Sequence, residues 1–320
     1  MFALGLDTSC YTTSAALCGR EAAPQQARRL LPVPAGERGL RQSEAVFAHV
    51  RQLSQVLSPL LREKRKPIDC VCASSAPRDG EDSYMPVFQV GVSVGKSIAA
   101  ALDVPFYETT HQRGHIAAAK WGTGLKAERF IALHLSGGTT DVLLAEGERL
   151  SPIGTSVDLH AGQLVDRIGV ALSLPFPCGP HLEELARGGQ SAARVPVSLE
   201  HDGLRCHFSG AEAQLMRMIQ KGERPEDVAA EVYSVLARTV LRLLARAGEQ
   251  AGVRDMLLAG GVASSALLRQ LLTERSEKRR TGLRLYFGRP EFSGDNAVGT
   301  ALIGLAYWEK EKNNGNIVGR

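Results

Sequence analysis

Apolar positions along this chain come in short runs separated by polar turns, and their spacing changes from one run to the next. Phe2 to Leu6 is a compact apolar run ending in Asp7-Thr8-Ser9, and a second run follows from Ser14 to Leu17. The pair predicts a β-hairpin whose turn is made of small hydroxyl residues. From Ser43 to about Arg62, Ala45, Val46, Val50, Leu53, Val56, Leu57, Leu60 and Leu61 recur at helical spacing, with Ser43 offered as the N-cap. Ile68 to Ala73 predicts a buried strand and Ser74 to Ser83 a polar loop. Val90 to Leu102 predicts a helix that exits through Asp103-Val104-Pro105. A long helix is predicted from about Pro225 to Ala251, with Val228, Val232, Val235, Leu236, Val240, Leu243 and Leu244 on one stripe. Pro225 suits a first helical turn, Glu226 and Asp227 favour its positive pole, and Gly252 marks the end. A strand from Met256 to Ala259 leads through Gly260-Gly261-Val262-Ala263-Ser264-Ser265 into a helix from Ala266. Another apolar helix runs from Ala297 to Tyr307, and the polar tail after Trp308 is expected to fray.

One pattern occurs twice. Phe130 to Leu135, then Ser136-Gly137-Gly138-Thr139-Thr140-Asp141, then Val142 to Ala145 repeats the strand, hydroxyl or glycine turn, and strand of the opening. The copies begin about 130 residues apart in a chain of 320, which matches the length expected of one domain. Either the fold is duplicated with a cleft between its halves, or two unrelated hairpins share a common turn. The division this suggests is an N-terminal α/β lobe over 1–128, a C-terminal α/β lobe over 129–308 and a polar tail over 309–320.

Composition narrows the class. The chain is 44% hydrophobic and 22% charged, enough apolar content for a sizeable core, which excludes a disordered or collagen-like chain. No apolar run approaches the ~20 residues a bilayer requires, and Met1 to Asp7 lacks the basic and long apolar regions of a signal peptide. A cytoplasmic protein is expected. A net charge of +4 is compatible with an anionic partner such as a nucleotide or RNA. The six cysteines are too sparse for a disulfide scaffold. Cys70 and Cys72 share one face of a predicted strand, and buried, reduced thiols are expected.

Five segments have the residue types of a chemical site. In His111-Gln112-Arg113-Gly114-His115, histidines four apart share a helix face and either converge on one first-row metal or line a helix start. A helical zinc protease needs a Glu after the first His as general base; Gln112 takes that place, which disfavours a protease. Ser136-Gly137-Gly138-Thr139 suits phosphate through close backbone approach, or is an ordinary hairpin turn. Gly260-Gly261 lies between a strand and a helix, where a nucleotide can reach a helix N-terminus or the two elements simply pack closely. Gly91 to Ser97 imitates a P-loop with one residue too few between its glycines, leaving Lys96 as a helix-surface cation. Asp295, in Glu291-Phe292-Ser293-Gly294-Asp295-Asn296, either caps the following helix or completes a His-His-Asp metal site.

In this order the segments resemble the TsaD family, once described as O-sialoglycoprotein endopeptidases. The resemblance runs from Leu4 to about Trp308 through Leu4-Gly5-Leu6-Asp7-Thr8-Ser9-Cys10, His111-x-x-x-His115, Leu135-Ser136-Gly137-Gly138, Asp158 through Asp166-Arg167, Pro177-Cys178-Gly179-Pro180, Phe208-Ser209-Gly210, Ala259-Gly260-Gly261-Val262 and Arg289-Pro290-Glu291-Phe292 with Asp295-Asn296. It implies the duplicated actin/Hsp70/sugar-kinase-like (ASKHA) α/β fold, with two lobes around a nucleotide cleft. It also implies one divalent metal, iron or zinc, held by His111, His115 and Asp295. An adenine nucleotide or adenylate ligand is implied at Ser136, Gly137, Gly138, Thr139, Asp166, Gly179, Gly260, Gly261 and Ser265. The implied activity is transfer of threonylcarbamoyl from its adenylate to N6 of an adenosine in tRNA, with tRNA and the proteins of a tRNA-modification assembly as partners.

The chain departs from that pattern near the expected substrate. Tyr11-Thr12 stands where the family carries Asp-Glu, Thr139 replaces a His, Ser265 an Asn and Glu212 a Lys, and Asp158 to Gln163 reads Asp-Leu-His-Ala-Gly-Gln in place of Asp-Asp-Ala-Ala-Gly-Glu. The metal ligands survive better than the groups around the substrate. Alternatives are therefore a carbamoyltransferase with another acceptor, or a non-catalytic nucleotide-binding regulatory paralogue.

Overall fold

The computed structural model describes residues 1–32, 40–63, 67–80 and 83–315. The chain divides into two compact units, Met1–Trp121 with Gly294–Arg320, and Gly122–Ser293.

The first unit is built on a five-stranded sheet of order β3-β2-β1-β4-β5. Its strands are β1 (Phe2–Thr8), β2 (Thr12–Gly19), β3 (Gln25–Leu30), β4 (Cys70–Ala76) and β5 (Phe106–Thr110). The first three form an antiparallel meander, and β4 and β5 add parallel to β1. Strand residues alternate between the two faces of a sheet, and both faces here are covered. Leu4, Leu6, Val71 and Ala73 pack beneath α1 (Gln42–Glu63) and α2 (Phe88–Leu102). On the opposite face, Gly5 and Cys72 lie against α9 (Val298–Asn313): a Cβ on Gly5 would stand 2.5 Å from Ala297 O. Asp7 shares the face of Gly5, and that parity aims it at α3 (His111–Lys120), which packs on α9.

The second unit is a seven-stranded sheet of order β12-β11-β6-β7-β8-β10-β9. Its strands are β6 (Arg129–Leu135), β7 (Thr140–Glu146), β8 (Arg149–Ser156), β9 (Ser198–Leu199), β10 (Arg205–His207), β11 (Asp255–Ala259) and β12 (Arg284–Phe287). Its helices are α4 (Ala161–Ala171), α5 (Gly179–Arg187), α6 (Ser209–Gln220), α7 (Pro225–Ala251) and α8 (Ala266–Lys278). The apolar stripe of α7 forms the centre of this unit's core, with Val228, Val232, Leu236, Val240, Leu243 and Leu244 fully buried.

The repeated hairpin is part of a larger repetition. β6–β7–β8 is antiparallel and β11 and β12 add parallel to β6, the same pairing as β1–β2–β3 with β4 and β5. The fold is the duplicated α/β architecture expected from the sequence.

The predicted division at 129 and 309 differs from the units observed. The last apolar helix follows the second lobe in sequence but buries its face on β1, β2, β4, β5 and α3, so it belongs to the first unit. That helix extends to Asn313, and the end of the predicted tail, 316–320, lies outside the described residues. The P-loop-like segment is helical, and Lys96 Nζ pairs with Glu108 Oε1 at 2.9 Å on the surface. All six cysteines are free thiols; five are buried and Cys10 is half-buried. Burial pushes the Cys70 thiol up to about 12. Among the described residues no helix is long and apolar enough to cross a membrane.

Candidate metal centre and anion cavity

His111 is the first residue of α3 because Thr110 caps the helix, its Oγ1 accepting from Arg113 N. Helical spacing then puts His115 one turn on, over the same face. The two Nε2 atoms lie 3.0 Å apart. Asp295 Oδ1 lies 3.5 Å from His111 Nε2 and 3.3 Å from His115 Nε2. Asp295 is not the helix cap: Asn296 Oδ1 accepts from Val298 N at the start of α9. That frees the Asp295 carboxylate to face the histidines. Ser9 Oγ donates to Asp295 Oδ2 at 2.8 Å and so turns Oδ1 toward them.

A tetrahedral ion with ligand bonds of roughly 2.0–2.1 Å holds its ligand atoms about 3.3 Å apart. The three separations bracket that value, so this donor set fits a first-row metal with three protein ligands and an open position. Behind it, His111 Nδ1 lies 2.8 Å from Asp7 Oδ2, which also accepts from Ser74 Oγ at 2.6 Å. Asp7 is 1% exposed, and its Oδ1 has no hydrogen-bond partner among the described residues. A fixed buried carboxylate on the outer nitrogen of a histidine is the usual support of a metal-binding imidazole. Burial lowers the His111 pKa, but the charges of Asp7 and Asp295 outweigh it and hold it well above the ordinary imidazole value. Burial likewise opposes ionisation of Asp295, yet hydrogen bonds from both histidines keep it well below the carboxylate range.

The second unit contains a cavity of about 400 Å³. Its lining includes Gly137, Asp166, Gly179, Gly261 and Ser265 of the residues expected to bind nucleotide, together with Gly162, Glu183 and Tyr233. Three helices begin at it: α4 next to Gly162, α5 at Gly179-Pro180, and α8 behind its N-cap Ser265, whose Oγ accepts from Leu268 N. Helix N-termini favour anions through their aligned dipoles and free N–H groups. Asp166 Oδ1 accepts from Cys178 N at 3.0 Å and fixes the start of α5. Burial holds the Tyr233 hydroxyl well above its usual pKa, so it stays protonated and donates to Gly179 O at 3.1 Å. A Cβ on Gly137 or Gly261 would meet nothing within 4 Å, leaving those backbones approachable.

Ser136, Gly138, Thr139 and Gly260 do not line the cavity. Ser136 O accepts from Gly162 N, so its carbonyl seats α4 on the turn. Gly260 has φ +96°, and a Cβ there would stand 2.2 Å from Leu135 O, so glycine is required for the close approach of β11's end to β6. Glu183 and Tyr233 carry little sequence signal: Pro180 marks a helix's first turn near the former, and the latter lies inside the buried stripe of α7 and looks like core. Glu183 Oε1 accepts from Leu267 N and from Arg187 Nη2. Of the departures from the family pattern, Tyr11 is exposed, Thr12 is buried in β2, and Glu212 pairs with Arg167 at 3.2 Å.

Residues 35–302 match the family model for TsaD, tRNA N6-adenosine threonylcarbamoyltransferase. The chain is 30% identical over 324 residues to a protein of that name from Thermus thermophilus, covering 98% of this chain and 94% of the relative. It is 30% identical over 285 residues to one from Methanopyrus kandleri, covering 87% and 79%. Among solved structures it is similar to T. kodakarensis HypF, with a TM-score of 0.64 and 15% identity, covering 97% of this chain and 48% of that one. It is also similar to a ROK family glucokinase from Streptomyces griseus, with a TM-score of 0.53 and 13% identity, covering 96% and 100%. These structural likenesses bear on the fold, which is of the ASKHA type.

Proposed function

The chain belongs to the TsaD family of tRNA N6-adenosine threonylcarbamoyltransferases, and we propose that it transfers a threonylcarbamoyl group from threonylcarbamoyl-adenylate to N6 of an adenosine in tRNA, in the cytoplasm. The observation that carries this reading is the convergence of His111, His115 and Asp295, with Asp7 behind the first histidine. A divalent iron or zinc ion bound there supplies a Lewis acid for the carbamoyl carbonyl. Asp7 Oδ2 accepts a hydrogen bond from His111 Nδ1–H and so favours the tautomer that points a lone pair inward from Nε2. Ser9 holds Asp295 in the rotamer that offers Oδ1. In the second unit, the Gly137 and Gly261 backbones and the three helix N-termini suit an adenylate phosphate, and Asp166 offers a carboxylate to ribose hydroxyls. The partners in this reading are tRNA and the other proteins of a tRNA-modification assembly.

The test is complementation of cells depleted of their own enzyme, with mass spectrometry of tRNA nucleosides. Restored threonylcarbamoyladenosine is expected, and its loss with His111→Ala. A second reading, a nucleotide-binding regulatory paralogue, is favoured by Tyr11 and Thr12, which leave no carboxylate where the family has two. Tight adenine-nucleotide binding with no restored modification would establish that reading over the first.

A further inference from the structure

We propose that Arg238, Arg242, Arg275 and Arg279, on two packed helices of the second unit, form a binding site for the phosphate backbone of RNA; the choice of RNA as the anion rests on the reading above. Arg238 and Arg242 are four apart on α7, and Arg275 in the last turn of α8 is four before its C-cap Arg279, so each pair shares one helix face. The two helices pack on each other. Ser234 shows how closely the rows meet, because Arg238 Nε donates to its carbonyl at 3.3 Å and Arg275 Nη2 to its hydroxyl at 3.0 Å.

Two carboxylates lie within the cluster, and both are hydrogen-bonded by the protein. Glu231 is 1% exposed; its Oε1 accepts from Val195 N and Arg238 Nη2, and its Oε2 from Ser191 Oγ. Glu274, beside Arg275, accepts from Gln270 Nε2 at 2.8 Å. Arg242 and Arg279 are exposed, and among the described residues neither has a carboxylate oxygen within 4.0 Å. Burial depresses the pKa of Arg238 against the attraction of Glu231, with the neighbouring guanidinium groups adding to the depression; at Arg275 burial and then Arg279 act the same way against Glu231 and Glu274. Four guanidinium groups against the carboxylates of Glu231 and Glu274 leave net positive charge on this face, which an incoming phosphate would offset. Arginine in place of lysine suits phosphate, which its planar fork can bind through two oxygens. The two inner guanidinium groups are held by the protein and the two outer ones point to solvent, which makes a track along the α7–α8 surface.

The test is fluorescence anisotropy of a labelled tRNA transcript against the full chain, repeated over a series of KCl concentrations. Each phosphate contact contributes roughly 0.7–0.9 to the slope of log affinity against log salt. Arg242→Ala with Arg279→Ala is expected to lower that slope by about 1.4–1.8 and to weaken binding by more than about tenfold at 0.1 M salt. Arg242→Lys with Arg279→Lys, which keeps the charge, is expected to retain most of the slope. Unchanged slope and affinity in the double alanine variant, alongside normal tRNA modification by the wild type, overturn the patch and leave the proposed function standing. Patch-dependent binding by a chain that modifies no tRNA supports the patch and counts against that function. A wild-type chain that binds no tRNA overturns both.

Discussion

His111 Nδ1 stands 2.8 Å from Asp7 Oδ2, joining the first helical residue of α3 to the last turn-ward positions of the opening strand. Ser74 holds the same oxygen, so the ring has one orientation. Removing the carboxylate charge leaves the ligand set intact but loosens the imidazole and lowers its basicity. Asp7→Asn is therefore expected to weaken metal binding by about 10–100-fold, read by competition with a chromophoric zinc chelator. Affinity equal to wild type in a folded variant would remove Asp7 from the site.

The ligands themselves make a sharper prediction. Asp295 reaches the histidines from the far end of the chain, and its Oδ1 is the third donor within 3.5 Å of both Nε2 atoms. Protein purified with about one equivalent of iron or zinc is expected to lose it in His111→Ala with Asp295→Ala, as measured by elemental analysis. Full occupancy in that double variant would place the metal elsewhere.

The sequence reveals the strand and helix framework because periodicity in Leu4–Leu17, Leu53–Leu61 and Val228–Leu244 reports which faces are buried. It also reveals His111 and His115, whose spacing is local. The sequence leaves Asp295 between two roles, and what separates them is a neighbour: Asn296 Oδ1, not the Asp295 carboxylate, accepts from the first N–H of α9. The unit boundary is illegible for the same kind of reason, since nothing in the apolar pattern of Ala297–Tyr307 says which sheet it covers. Gly260 and Gly261 look alike as letters, yet one is needed for backbone approach and the other lines a cavity.

That contrast is testable. At Gly260 a side chain meets both φ +96° and Leu135 O at 2.2 Å, whereas Gly261 has an ordinary φ and open space around it. Gly260→Ala is expected to cost at least ~2 kcal/mol of stability by urea unfolding, from left-handed strain plus the clash. Gly261→Ala is expected to unfold like wild type and to bind adenine nucleotide more weakly by calorimetry. Equal stability losses in the two variants would contradict the assignment.

Asp158 supplies the pH prediction. Burial works against its ionisation, but the Ser209 hydroxyl and the backbone N–H groups of Phe208, Leu159 and Ser209 prevail and lower its pKa from 3.8 to about 2. Oδ1 accepts from Phe208 N at 2.8 Å and Oδ2 from Ser209 N at 3.1 Å, which pins the first turn of α6. Because the folded value lies below the unfolded one, the contribution is complete above about pH 4. It declines as the pH falls from there toward 2, where the folded carboxylate itself takes a proton. Asp158→Asn is expected to be less stable than wild type at pH 7 and to lose less between pH 4 and pH 2, so the two curves converge in acid. Urea midpoints at pH 7, 4, 3 and 2.5 measure the gap; a gap that stays constant across that series would mean that Asp158 acts through its shape and not its charge.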